Sequence, residues 1–157
     1  MQRCDLLALL KTVVTEQQRL APEHPILVEV KPVAQTMPVL VDTERITQVF
    51  TAYLTNALAS SPMKAPVAVQ VTIEEGITRV SVHNEGPGIP LEEQKHLWER
   101  SYRSKGSAVQ QELDLSLGFH LYLCRAFIEQ HGGHVGVQST PNNGATFWFT
   151  LSLAPCA

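Results

Sequence analysis

Three short clusters in this chain join residue types that do chemistry to spacings that bring the backbone close to a ligand. The first is Asn56, midway along a stretch of helical apolar spacing. An asparagine inside a helix costs some propensity, and its carboxamide can coordinate a hard cation or hold a phosphate-bound water. Taken alone, it is better explained by packing or solvation. The second is Asn84-Glu85-Gly86-Pro87-Gly88, directly after a predicted strand. Two glycines beside a proline let the backbone turn tightly and approach a flat ligand, and Asn84 can present its side-chain carbonyl to an amino group such as that of adenine. The third is Ser116-Leu117-Gly118-Phe119-His120, just before a predicted helix. A loop glycine at a helix N-terminus offers phosphate its exposed N–H groups and the helix dipole. Each cluster by itself is a weak signal.

The elements that must position them are readable. Asp5 caps an amphipathic helix through Leu6, Leu7, Leu10 and Val13 that stops before Pro22. Ile26 to Val30 and Val39 to Val41 read as strands. Asp42 caps a longer helix with apolar positions Ile46, Val49, Phe50, Tyr53, Leu54, Ala57 and Leu58, ending before Pro62. Val67 to Ile73 and Ile77 to Val82 alternate with period two around the hairpin turn Glu74-Glu75-Gly76. Pro90 opens a short helix through Leu97-Trp98. From about Glu99 to Ser116 no period appears, which predicts a mobile surface loop of the functional kind. A helix from about Leu117 to Gln130, closed by Gly132-Gly133, precedes a strand pair at Val135 to Val137 and Ala145 to Leu151. Together these predict an α+β two-layer sandwich, a mixed and mostly antiparallel sheet covered on one face by helices.

Composition narrows the class. The 157 residues fit one domain, 1–157, with no linker or internal repeat. Hydrophobic residues at 44% suffice for a core, and charged residues are only 17%. Twelve Lys and Arg against fifteen Asp and Glu give a net charge of −3, which argues against a duplex nucleic-acid binder. No apolar run is long enough to span a membrane, and Met1-Gln2-Arg3-Cys4-Asp5 lacks a signal-peptide pattern. Cys4, Cys124 and Cys156 form no C-x-x-C pair and suit a reducing cytoplasm.

The order of the clusters adds what no single one supplies. Asp42-x-x-Arg45-x-x-Gln48-Val49 with Asn56-Ala57, then Asn84 to Pro90, then Trp98-Glu99-Arg100-Ser101-Tyr102-Arg103, then Gly118 to Arg125 with Glu129-x-His131-Gly132-Gly133, then Gly144-Ala145-Thr146-Phe147 resembles the ATP-binding domain of sensor histidine kinases. That domain belongs to the gyrase, Hsp90, kinase and MutL ATPase superfamily, and the resemblance covers about Asp5 to Leu153. It implies the Bergerat-type ATP-binding fold with a lid over about 99–116. By the same resemblance Asn56 would bind the Mg²⁺ that bridges the ATP phosphates, and Asn84 would read the adenine amino group. Gly86 and Gly88 would make room for the base, and Thr146 would help hold it. Arg103 would reach the terminal phosphate, and Gly118 would line the phosphate tail.

Several positions depart from the family pattern. Ala52 and Ala59 stand where a second Asn and a basic residue are frequent, and Asn84 replaces an Asp, keeping the acceptor but losing the charge. Ser116 and His120 occupy glycine positions of the second glycine box. His120 is read as drift or packing, with an imidazolium near phosphate as the alternative. His131 and His134 are read as surface or packing residues, since a helix C-cap explains the glycines between them. Trp98 and Tyr102 are read as core or lid anchors, while Glu85 and Glu99 have no evident partner and receive no role.

The resemblance implies a histidine kinase catalytic domain of a two-component system, offering the γ-phosphate of ATP to a histidine on a separate dimerisation and phosphoacceptor domain, with a response regulator downstream. None of the six histidines lies in an acceptor pattern, so the chain reads as a cytoplasmic fragment that cannot autophosphorylate alone, its parent either soluble or membrane-anchored. The alternatives are a degenerate domain serving as a protein-interaction module, or a serine kinase of the anti-sigma-factor type. An ATP hydrolase of the gyrase or Hsp90 kind needs a Glu where Ala52 stands and is rejected.

Overall fold

A computed structural model describes residues 1–31, 36–62, 64–86, 88–94, 96–99, 121–139 and 143–154. Strand β1 (Gln2–Asp5) leads into helix α1 (Leu6–Leu20), then β2 (Ile26–Lys31), β3 (Pro38–Val41) and helix α2 (Thr43–Ser60). The hairpin β4 (Val67–Glu74) and β5 (Ile77–Asn84) follows, then the short helix α3 (Leu91–Gln94). Helix α4 is described over 121–130, and β6 (Val135–Ser139) and β7 (Ala145–Ser152) close the fold.

Five strands form one sheet in the order β2-β4-β5-β7-β6, while β1 and β3 pair separately. Only β2 with β4 is parallel; β4–β5, β5–β7 and β6–β7 are antiparallel. The predicted α+β sandwich and mixed sheet are therefore what the chain builds. Core-facing positions alternate as period two requires: Val67, Val69 and Val71 on β4, Val80 and Val82 on β5, Phe147, Phe149 and Leu151 on β7. Against that face pack Leu6, Leu7 and Leu10 of α1, Ile46, Phe50 and Leu54 of α2, and Cys124 and Ile128 of α4. The other face of the sheet carries no described helix, and there the Arg79 guanidinium lies 3.9 Å from the centroid of the Trp148 ring. Among the described residues no helix is long and apolar enough to cross a membrane.

Both predicted N-caps form. Asp5 Oδ1 accepts from the Leu7 N–H at 3.1 Å and from the Met37 N–H at 2.8 Å, so one carboxylate caps α1 and holds the entry to β3. Asp42 Oδ1 accepts from the Arg45 N–H at 3.2 Å at the start of α2. Gly132, at φ +76, ends α4, with its N–H on Glu129 and the Gly133 N–H on Ile128. Two expectations are corrected. Helix α3 ends at Gln94 rather than at Trp98, the chain then continuing in turns. Strand β1 was not foreseen, since it forms only by pairing with β3.

Candidate functional site

Asn84 is the last residue of β5, and the register places it opposite Ala145 at the start of β7. It lies on the buried side of the sheet, 4% exposed. Its Nδ2 donates to the Glu85 carbonyl at 3.3 Å, and its Oδ1 makes no hydrogen bond among the described residues.

Beyond Asn84 the chain is bolted to its neighbours. A Cβ on Gly86 would stand 2.9 Å from the Ser60 carbonyl oxygen, so the backbone passes tightly against the end of α2. The Gly144 N–H donates to the Gly86 carbonyl at 3.0 Å. Gly144 sits at φ +73, and a Cβ there would lie 1.9 Å from the Asn84 carbonyl oxygen, so both conformation and space require glycine. Ser139 ties the corner: its hydroxyl donates to the Gly144 carbonyl and accepts from the Ile89 N–H, each at 2.7 Å. Gln94 of α3 donates to the Ile89 carbonyl at 2.8 Å and to the Ser139 carbonyl at 3.3 Å. Gly88, at φ +81, lies within this braced segment.

Asn56 lies on α2, 8% exposed, and its carboxamide makes no hydrogen bond among the described residues. Buried polar groups are ordinarily paired, so its lack of a partner among the described residues makes it a candidate to meet a ligand. Three residues earlier on the same helix, Tyr53 donates to the Trp148 carbonyl at 3.1 Å. The Tyr53 ring packs against Trp98, Phe147 and Phe149, with centroids 6.5, 6.0 and 5.5 Å away. This cluster fixes the rotation of α2, and the Trp98 expectation as a core anchor holds. Burial holds the Tyr53 hydroxyl well above its ordinary pKa, so it stays a donor. Ala52 and Thr55 line a groove of about 370 Å³ between α2 and α4, with Leu123, Cys124 and Phe127 opposite.

The structure sets Gly86 beside Asn84 and against the end of α2, the helix of Asn56. It does not bring Thr146 to them. Alternation along β7 puts Ala145 on the side of Asn84 and Thr146 on the other face, where its hydroxyl is hydrogen-bonded to His83 Nδ1 at 2.7 Å. Strand parity thus sets the Thr146 side chain on the face opposite that of Asn84. Arg103, Gly118, Ser116, His120 and Tyr102 lie outside the described residues. Glu99 does have a partner, His96 Nδ1 at 2.8 Å. Sequence reasoning missed Ser139, Gln94 and His131, each of which has a partner remote in the chain. Among the described residues no cluster of His, Cys, Asp and Glu could hold a metal by itself.

This architecture is that of a known ATPase fold. The chain belongs to the family of histidine kinase-, DNA gyrase B- and HSP90-like ATPases, which matches residues 41–155. Within that family the relatives it matches are sensor histidine kinases, and the chain corresponds to their ATP-binding catalytic domain. The adaptive-response sensory kinase SasA of Rippkaea orientalis is 37% identical over 128 residues, covering 79% of this chain and 31% of that protein. That of Synechococcus sp. (strain CC9902) is 31% identical over 155 residues, covering 97% and 39%. The mycobacterial sensor histidine kinase MprB superposes with a TM-score of 0.81 at 21% identity, over 99% of each chain. Full-length ShkA in complex with AMPPNP gives 0.80 at 25% identity, covering 98% of this chain and 31% of that one. The chain thus spans about a third of the length of the curated relatives it matches. Membership in the family implies ATP binding.

Proposed function

We propose that this chain binds Mg-ATP between α2 and the Asn84–Gly88 segment and serves as the phosphate-donating domain of a sensor histidine kinase. The observation that carries the reading is Asn56, a buried carboxamide with no hydrogen bond among the described residues, on the helix against whose end Gly86 packs. A carboxamide oxygen suits a hard cation that keeps most of its water, so Asn56 would hold the Mg²⁺. When bound, the cation would neutralise phosphate charge. Asn84 Oδ1 would accept from the adenine amino group, with Gly86 and Gly88 leaving room for the base. Ala145 would face that base in place of Thr146. Arg103 would reach the terminal phosphate and Gly118 the phosphate tail.

Phosphoryl transfer relies mainly on positioning and on stabilising charge, so a general base is not required of this chain. The nucleophile would be a histidine on a helical dimerisation and phosphoacceptor domain, a response regulator would take the phosphoryl group onward, and the domain would work in the cytoplasm. Calorimetric titration with a non-hydrolysable ATP analogue, with and without Mg²⁺, tests this. Metal-dependent saturation is the expected result. Silence up to millimolar analogue would overturn it in favour of a degenerate interaction module, a reading to which the apolar Ala52 in the wall of the groove lends support.

A further inference from the structure

Helix α2 opens with half of a reciprocal cap. The bond from the Arg45 N–H to Asp42 is the forward half of a capping box. The reverse half needs an acceptor on the third helical residue, and there Arg45 has only donors. The Asp42 N–H donates instead to Nε2 of His131 at 3.0 Å, a partner 89 residues along the chain. Nδ1 of the same ring lies 2.6 Å from the Phe127 carbonyl, one turn back on α4. A ring that donates from Nδ1 and accepts at Nε2 is a neutral imidazole of one tautomer. A single side chain thus completes the cap of α2 while anchored to the last turn of α4.

Arg45 braces the same corner, donating from Nη1 to Gln130 Oε1 at 2.6 Å and lying 4.9 Å from the Phe127 ring centroid. From this corner the two helices run antiparallel. Cys124 meets the Val49 carbonyl, and Leu123 and Cys124 share the groove with Ala52 and Thr55. Leu123 and Cys124, early in the described part of α4, therefore lie beside Ala52 and Thr55, the stretch of α2 that leads into Asn56.

We propose that His131 is a positioning residue for nucleotide binding: by pinning the end of α4 to the cap of α2, it sets the spacing between α4 and the Asn56 turn. The inference rests on the nucleotide reading given above. Over ten helical residues, roughly 15 Å, a tilt of about 5° at a loosened corner moves the other end by about 1 Å. Misplacement by about 1 Å can cost on the order of a hundredfold where function depends on orientation.

Three variants read the two ring nitrogens separately. His131→Gln keeps an acceptor near Nε2, His131→Asn keeps a polar group near Nδ1 only, and His131→Phe keeps the ring and neither bond. The affinity for a non-hydrolysable ATP analogue with Mg²⁺ is measured alongside hydrogen exchange of the Asp42 amide, at a temperature where each variant is folded by circular dichroism. His131→Gln should stay within about threefold of the unmodified chain on both readouts. His131→Asn and His131→Phe should bind about tenfold more weakly, with the Asp42 amide exchanging about tenfold faster. Binding by His131→Phe within threefold of the unmodified chain would overturn the proposal. Equal losses in His131→Gln and His131→Phe would do so too, by reducing the ring to packing. If the unmodified chain binds no analogue, the nucleotide reading itself fails, and the positioning role falls with it.

Discussion

The two ends of the candidate cleft are built differently. At the end proposed for the base, Asn84, Gly86 and Gly88 are held by the β5–β7 ladder, by the bond from Gly144 to Gly86, and by Ser139 and Gln94. At the end proposed for the metal, Asn56 stands on a helix whose rotation is set by the aromatic packing of Tyr53 and whose start is tied to α4 through His131. The first end is largely a backbone construction, and few side-chain losses can loosen it. The second is a side-chain construction, and its carboxamide makes no hydrogen bond among the described residues. Rigidity at one end and an uncommitted side chain at the other suit the proposed ligand, whose flat part needs a shaped slot and whose charged part needs a ligating atom.

The largest expected effect comes from attacking the backbone end. Gly144→Ala should cost more than about 4 kcal/mol in chemical denaturation, because the new Cβ meets the Asn84 carbonyl and the left-handed backbone disfavours it. A loss below about 1 kcal/mol would show that this corner yields easily, and the contrast between the ends would collapse. Asn56→Ala separates binding from folding. Metal-dependent affinity for the ATP analogue should fall at least about tenfold while stability stays within about 1 kcal/mol, since the carboxamide makes no hydrogen bond among the described residues. An unchanged affinity would remove Asn56 from the site.

Smaller effects sharpen the comparison. Ser139→Ala should cost about 1 kcal/mol and weaken analogue binding with or without Mg²⁺, because it frees the Ile89 N–H at the base end. At the helical end, burial pushes the Cys124 thiol from its ordinary 9.0 up to about 12. The folded state then holds a proton that the unfolded chain releases between those values, so this contribution is complete below pH 9 and is lost as pH rises toward 12. Between about pH 8 and pH 10, Cys124→Ala should lose roughly 1 kcal/mol less stability than the unmodified chain. The smallest change has the opposite sign. The Thr78 hydroxyl is fully buried without a partner among the described residues, so Thr78→Val should raise stability by about 0.5–1 kcal/mol.

What the sequence made legible was whatever depends on neighbours in the chain. Asp5 and Asp42 signal their caps, the alternation from Val67 to Val82 signals a hairpin, and Asn84 with its glycines signals a tight turn after a strand. What it hid depends on pairing at a distance. Strand β1 has no strand pattern of its own and exists because β3 lies beside it. Thr146 and Ala145 are neighbours in the chain, yet strand parity sends them to opposite faces, and only the register with Asn84 decides which one meets the cleft. Ser139 and His131 look like ordinary polar residues until Ile89, Gly144 and Asp42 come into view.

The β5–β7 ladder has a consequence for the order of assembly. It joins Asn84 to Ala145 and Ile77 to Ser152, so the base end closes across more than a third of the chain. Such non-local pairing is slow, because loop-closure entropy must be overcome before contacts compensate it. During synthesis α2 and the β4–β5 hairpin emerge well before β7. If the proposed site is right, nucleotide capture is a test of completion: a chain stopped before Ala145 would keep Asn56 and Asn84 but lack the strand that closes the end beside Asn84.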